Sequence, residues 1–484
     1  MGPEVLKEEE VRREKLRKLR AKGLNPYPYR FDRSHTNGQI VERFDDLEAQ
    51  GTVVAACGRV LAIRRHGKTM FANIGDESGK IQLYLRSDAL GERFELVDFV
   101  DIGDFLGVHG KVFKTKTGES TIMVEDFVIL SKSLRPLPEK WHGLKDVELR
   151  YRYRYLDLIA NEETRALFRQ RTKIYNVIRA FLNERGFIEV ETPILQPVYG
   201  GATAKPFKSY YQALASDVYL RIADELYLKR LIVGGYEKVY EIGRDFRNEG
   251  VDRFHNPEFT MLEAYEAYKD YNDVMAMVED LLILITRELH GGNHLVFQGQ
   301  AADLNKPFKR IYYIAELERV MGTDPLTLGR EALRKQAEKF GLDLSADMSK
   351  GKIIDKLFEE LVQKHIVEPT FVCDHPKLIS PLAKEHRQNK DLVERFELFA
   401  FGVELANAFS ELNDPVEQRR RFEEQLAEKE EGIGEIDEDF LLALEHGMPP
   451  TGGLGIGIDR LCMVLLDKPS LRDVIAFPHL RPEV

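Results

Sequence analysis

The stretch Gly243-Arg-Asp-Phe-Arg-Asn-Glu-Gly-Val-Asp-Arg-Phe-His-Asn-Pro-Glu-Phe-Thr-Met-Leu-Glu263 decides the reading of this chain, because it lays strand chemistry on both sides of one charged loop. Side chains two apart on a strand share a face, which groups Arg247 with Glu249 and, on the returning run, Phe259 with Glu263 and Tyr265. A fixed cation, carboxylates and an aromatic plate on one surface suit a ligand carrying phosphate, a purine and an amine. The loop between them, residues 250–257, adds Arg253, His255 and Asn256, spaced to fold over a polyphosphate. A solvated edge hairpin explains an isolated Arg-x-Glu pair, but not a string of this length.

Outward from this hairpin, composition narrows the class. The 484 residues are 43% hydrophobic and 31% charged, ordinary for a soluble protein with a large core. The net charge of −11 argues against a broadly cationic coat for nucleic acid, so any RNA must be met by local patches. No run approaches the ~18 apolar residues of a membrane span, and the charged N-terminal stretch lacks the apolar segment of a signal peptide. A cytoplasmic location and no membrane partner are expected. Cys57, Cys373 and Cys462 are few and far apart, so neither a disulfide framework nor a cysteine zinc site is indicated.

Three regions follow. Residues 1–50 hold a basic helix, Val11-Arg-Arg-Glu-Lys-Leu-Arg-Lys-Leu-Arg-Ala-Lys22, stopped by Gly23, and a lead-in past Pro26 and Pro28. Residues 51–140 read as five short strands, 53–63, 70–74, 80–85, 105–113 and 121–130, parted by turn clusters such as Asp76-Glu-Ser-Gly79. Five strands in so short a span suggest an OB-fold barrel, a common binder of single-stranded RNA. After Arg135-Pro-Leu-Pro138 marks a boundary near residue 140, residues 141–484 form the large region, with an insertion within about 270–390. A helix is expected over 164–185, where Ile174, Val177, Ile178, Phe181 and Leu182 recur at helical spacing and Gly186 ends it. Gly452-Gly-Leu-Gly-Ile-Gly-Ile-Asp-Arg460 precedes an apolar helix that places Arg460 at a helix N-terminus, a good phosphate position. Its glycines lack dinucleotide-fold spacing. The segment Asp347-Met-Ser-Lys-Gly-Lys352, similar to a class I synthetase lysine loop, lacks the His-x-Gly-His partner and is set aside.

The 243–263 string resembles motif 2 of class II aminoacyl-tRNA synthetases, in the form found in lysyl-tRNA synthetases. Phe181-Leu-Asn-Glu-Arg-Gly-Phe-Ile-Glu-Val-Glu-Thr-Pro193 is similar to the family's motif 1 and Gly452–Arg460 to motif 3, in matching order. The resemblance implies an α+β chain: an OB-fold anticodon-binding barrel, then a catalytic domain on a mostly antiparallel sheet flanked by helices. It implies a homodimer through motif 1, with ATP, L-lysine and tRNA(Lys) as substrates.

It also implies roles. Arg247, Glu249 and Arg460 are the expected catalytic residues, and ATP is expected on Arg247, Glu249, His255, Asn256, Phe259, Glu404 and Arg460. Glu397 and Glu404 face each other if the chain reverses near residues 400–402; as paired carboxylates with no nearby cation they suit Mg2+ bridging phosphates. The matching anticodon positions are Phe71 and Gln82, with Arg64 or Arg65 near the RNA backbone. The amino-acid pocket matches Gly201, Glu225, Arg247, Glu263, Tyr265, Asn407 and Glu411. Apart from Arg247, it offers three carboxylates and no base, which favours lysine over aspartate, whose side chain needs cations.

The chain departs from the family pattern at several places. Asp224 stands where relatives carry an uncharged residue, Asp245 for a usual Asn, and Lys205 for a usual Arg. Phe401 replaces a Gly in the metal hairpin, and Ala406 and Ala408 flank Asn407 where glycine is frequent. A ligase that lysylates a protein, and a non-enzymatic RNA-binding relative, are the competing readings; the former generally lacks the barrel, and the latter should have lost Arg247 or Arg460.

Overall fold

The string at 243–263 folds as two antiparallel strands, Lys238–Phe246 and Glu258–Ala267, around a loop over 247–257. The computed structural model describes residues 3–137, 144, 146–345, 348–427 and 435–482. The boundary expected near residue 140 lies outside the described residues. Two compact units, Met1–Leu144 and Lys145–Val484, divide the chain.

In the first unit, helix α1 (Pro3–Ala21) ends at Gly23, whose φ of 74° is the left-handed value that glycine adopts without strain. Strands β1 (Val53–His66), β2 (Thr69–Gly75), β3 (Lys80–Arg86), β4 (Phe105–Lys114) and β5 (Ser120–Ser131) close a barrel in the order β1-β2-β3-β5-β4. Alternate residues Met70, Ala72 and Ile74 of β2 and Ile81, Leu83 and Leu85 of β3 fill its interior. All five expected strands form, each extended by a residue or more because cross-strand pairing carries on past the apolar runs.

The second unit is built on α2 (Glu162–Glu184), β6 (Ile188–Glu189), α3 (Glu225–Val233), β7 (Lys238–Phe246), β8 (Glu258–Ala267), α4 (Tyr271–His290), β9 (Lys309–Tyr312), α5 (Lys350–Leu361), β10 (Thr370–Cys373), β11 (Arg395–Ala400), β12 (Val403–Ser410), β13 (Thr451–Gly457) and α6 (Ile458–Leu465). One eight-stranded sheet runs β9-β10-β11-β12-β13-β8-β7-β6, antiparallel except at β9-β10 and β7-β6. Strand period sorts its two faces. Leu262, Ala264, Phe396, Leu398, Leu454 and Ile456 join α2, α4 and α6 in the main core. Glu263, Tyr265, Arg395, Glu397, Gly453 and Gly455, one residue out of phase, line a cavity on the opposite face. Alternation on these strands thus sorts core from cavity. α4 is fixed by a capping box at Asp270 and closed by Gly291 in the left-handed region.

Candidate active site

A cavity of about 570 Å³ opens on that second face. It brings together Gly201, Glu225, Arg247, Glu249, His255, Asn256, Phe259, Glu263, Tyr265, Glu397, Glu404, Asn407, Glu411 and Arg460, residues spread over 260 positions of sequence. The expected groups therefore meet in one place.

At the end of the cavity that holds Arg247 and Arg460, the strand reading needs one correction. Strand β7 stops at Phe246, so Arg247 and Glu249 lie in the loop, with the Arg247 N–H bonded to the Pro257 carbonyl and the Glu249 N–H to the Arg247 carbonyl. They share the cavity through this tight turn and not through strand alternation. The Arg247 guanidinium lies 4.9 Å from the centre of the Phe259 ring, a cation–π contact. Arg460 starts α6, bonds Glu404 at 2.8 Å and approaches His255 Nε2 at 3.4 Å. His255 is held from behind by Asp252 at 2.8 Å. Asn256 lines the cavity with its amide engaged by the Glu258 carbonyl and the His479 N–H. Asp459, which the sequence reading passed over, accepts from the Thr260 N–H at 2.8 Å and pairs with Arg171 of α2 at 2.6 Å, fixing the base of Arg460.

The acidic hairpin forms with a turn at Phe401 and Gly402, but its two carboxylates do not face each other: the register pairs Glu397 with Asn407 and Glu404 with Phe399. Both turn residues have positive φ, 53° and 72°, the signature of the two-residue turn whose twist matches antiparallel strands. Phe401 accepts a conformation that normally favours glycine, and its ring packs against Phe297 at 5.7 Å. A bulge opposite the Leu398/Phe399 step skips Leu405, which is how Glu404 and Asn407, an odd number of residues apart, both reach the cavity. The expectation of no nearby cation is overturned. Arg395 bonds Glu397 at 2.7 Å and Arg460 bonds Glu404. Burial still pushes Glu397 up to about 7, with Arg395 opposing and Glu404 and Asp355 adding to it. Each carboxylate keeps its second oxygen outside these ion pairs, and hard oxygen donors are what Mg2+ requires. Among the described residues no group of three or more His, Cys, Asp or Glu is placed to hold a metal, so an ion here would draw further ligands from phosphate and water.

The other end of the cavity is acidic. Glu225, Glu263 and Glu411 are buried around one space, and the Tyr265 hydroxyl donates to Glu263 at 3.0 Å. Burial, Asp245 and Glu225 together lift Glu263 to about 8. Gly453 permits this arrangement: a Cβ there would stand 1.8 Å from Glu411 Oε1. Gly201 has φ 89° and no room for a side chain, since its Cβ would meet that of Ala223 at 2.9 Å. A base outside the matched positions, which the sequence reading did not single out, stands beside these carboxylates. Lys229, fully buried, contacts Glu225 at 2.5 Å and also Glu411. Behind the pocket, Asp224 and Asp245 are both fully buried and share Arg221, at 3.1 and 3.2 Å. Burial raises both, Asp224 further because Asp245 repels its charge. The two departures noted in sequence are therefore one feature. Lys352 and Asp355 on α5, from the segment set aside as a decoy and the region read only as an insertion, also line the cavity.

In the barrel, Phe71 stacks on Tyr84 at 4.5 Å and stays half-exposed. Register pairs it with Arg64, whereas Arg65 pairs with Met70 and turns to Asp98. Gln82 is buried, its amide held by Glu119 and Thr121. Tyr84 was the aromatic missed in sequence.

A model of the tRNA synthetases of class II (D, K and N) matches residues 146–481. This chain belongs to the class II tRNA synthetases. A second model, of the OB-fold nucleic acid binding domain, matches residues 54–130 of the synthetase. The lysine–tRNA ligase of Moorella thermoacetica is 53% identical to it over 479 residues, 98% of this chain and 97% of that one. Those of Thermoanaerobacter pseudethanolicus and Thermotoga maritima are 52% and 51% identical, spanning 98% and 99% of the synthetase and 96% and 97% of their own lengths. Among the described residues, no helix is long and apolar enough to cross a membrane.

Proposed function

We propose that this synthetase activates L-lysine with ATP and transfers it to the 3′-terminal ribose of tRNA(Lys). The observation that carries the reading is the convergence of Glu225, Glu263 and Glu411 on one cavity with Arg247 and Arg460. Carboxylates taken out of water replace the hydration of a lysine ammonium, while the arginines suit a triphosphate.

In the first step a lysine carboxylate oxygen attacks the α-phosphorus of ATP, the bond from that phosphorus to the bridging oxygen breaks, and pyrophosphate leaves. In the second, the ribose hydroxyl attacks the carbonyl carbon of lysyl-adenylate and AMP leaves. Arg247 neutralises the lysine carboxylate and the charge growing on the α-phosphate, at a site prepared before the reaction. Glu249 accepts from the adenine amine and Phe259 stacks on the ring; His255, with Arg460, takes the outer phosphates, and Asn256 holds the loop that carries them. Glu397 and Glu404 are the residues that would hold Mg2+, which would supply positive charge against the outer phosphates. Release of Glu404 from Arg460 lets each turn to its own ligand. The barrel binds the anticodon with Phe71 and Tyr84 as stacking plates, Gln82 beside them and Arg64 or Arg65 on phosphate. Exposed Ile188, Ile194 and Leu195 after α2 support a homodimer through that edge, and the synthetase works in the cytoplasm.

Exchange of labelled pyrophosphate into ATP, run with each of the twenty amino acids, tests the reading. Lysine alone should support rapid exchange. Exchange driven by aspartate or asparagine, or by none, refutes it.

A further inference from the structure

Lys229 has no part in the chemistry above, yet it sits where that chemistry is most sensitive. It lies one helical turn after Glu225 on α3, is 0% exposed, and its ammonium contacts both Glu225 and Glu411. The Phe409 ring lies 5.6 Å from it. Buried ion pairs seldom add stability over apolar packing of the same volume, so stability does not account for a lysine here. Two carboxylates side by side in a dry cavity repel each other, and without a cation one of them takes up a proton. A protonated acid attracts an ammonium far less. We propose that Lys229 is a positioning residue of the amino-acid pocket, holding Glu225 and Glu411 together as charged acceptors that await a second ammonium, that of the substrate. The proposal rests on the reading of this cavity as a lysine site.

Charge accounting supports it. Lys229 balances one of its two carboxylates, and when both are ionised a monocationic side chain balances the other. The groups facing them from every packed element are few: Glu263 and Tyr265 on β8, Arg395 on β11, Phe409 on β12 and Gly453 on β13, with Asp224 and Asp245 behind Glu263. Burial works against the ammonium of Lys229, but Glu225 and Glu411 outweigh it and raise its proton affinity. Burial lifts both carboxyls, and Lys229 is the main group opposing that lift. Lys229 thus does most to keep the acids available as anions, with Arg395 adding to its effect on Glu225.

Lys229→Ala and Lys229→Met, measured by pyrophosphate exchange, decide the matter. Both should raise the KM for lysine on the order of 100-fold while leaving kcat and the KM for ATP within a few-fold. In both, the pH profile of lysine KM should move upward, because the acids must now lose a proton to bind. Propylammonium, which replaces the atoms missing in Lys229→Ala, should restore that variant at least tenfold, and propanol should not. Should Lys229→Ala fail to fold, the volume-filling Met variant carries the test through KM and its pH profile. Unchanged lysine KM, or kcat and both KM values failing together, overturns the proposal. Absence of lysine-dependent exchange in the wild type refutes instead the pocket's assignment.

Discussion

Gly453→Ala adds a single methyl group to β13 and tests the acidic pocket through its geometry. Its Cβ would stand 1.8 Å from Glu411 Oε1 and 2.7 Å from Tyr265 Cε1, where ordinary contact begins near 3.4 Å. Glu411 must therefore withdraw by about 1.6 Å. It cannot do so freely, being buried and tied to Lys229, so the displacement falls on its contact with substrate. Misplacement of a binding group by about 1 Å costs about 100-fold, or roughly 2.7 kcal/mol, within the ~1–3 kcal/mol of overpacking. Gly455→Ala is the matched control on the same strand and face. Its Cβ meets only the flexible Met261 Cε at 3.3 Å and the Asn407 carbonyl at 3.7 Å, and leaves Glu411 in place. In pyrophosphate exchange, Gly453→Ala should raise the KM for lysine about 100-fold, and Gly455→Ala by less than about threefold. Equal effects of the two, or an unchanged KM in Gly453→Ala with the fold intact, refute the reasoning.

Three further outcomes are expected. Arg247→Ala should abolish adenylate formation with the melting temperature little changed, since the hydrogen bond from its guanidinium to the Ile222 carbonyl is long at 3.4 Å; wild-type turnover would remove Arg247 from its role. Glu263, held up to about 8, is mostly protonated at pH 7, and an ammonium arriving beside it pulls its pKa down, so lysine binding should release up to about one proton and tighten as pH rises toward 8. Calorimetry in buffers of different ionisation enthalpy reads this directly, and Glu263→Gln should remove it. The same shift makes the fold less stable as pH rises from 4.5 to about 8, where the native state alone keeps the proton, and Glu263→Gln should flatten that slope. Glu397→Gln and Glu404→Gln should each raise the Mg2+ needed for exchange by tenfold or more, and EDTA should stop the wild type; exchange indifferent to both would exclude this pair as the metal site.

Much of the architecture was readable because short-range physics decides it. The five barrel strands, α2 and the hairpin strands are set by apolar period and by turn residues that act within a few positions. The site was readable only where a motif carried it. Glu225 and Lys229 stand four apart on α3, so their pairing is local, but Glu411 joins them through a strand nearly two hundred residues away. The bulge at Leu405, which aims Glu404 and Asn407 together, leaves no mark in a sequence of ordinary alternation. Asp224 and Asp245 looked like two separate oddities until α3 and β7 brought them against Arg221. Arg460 beside the acidic hairpin was hidden for the same reason, because charge balance in a cavity is a sum over strands; Arg395, two residues before Glu397 on β11 and so on its face, was legible by strand period. Lys352 and Asp355 reach the cavity from α5, a segment whose own pattern gave no reason to look there.

Calorimetric titration of the synthetase with lysine and with norleucine, the same side chain with methyl in place of ammonium, tests the acidic pocket most directly. Lysine should bind on the order of a thousandfold more tightly, because norleucine leaves buried carboxylates unpaired. Affinities within about tenfold of each other would contradict the account.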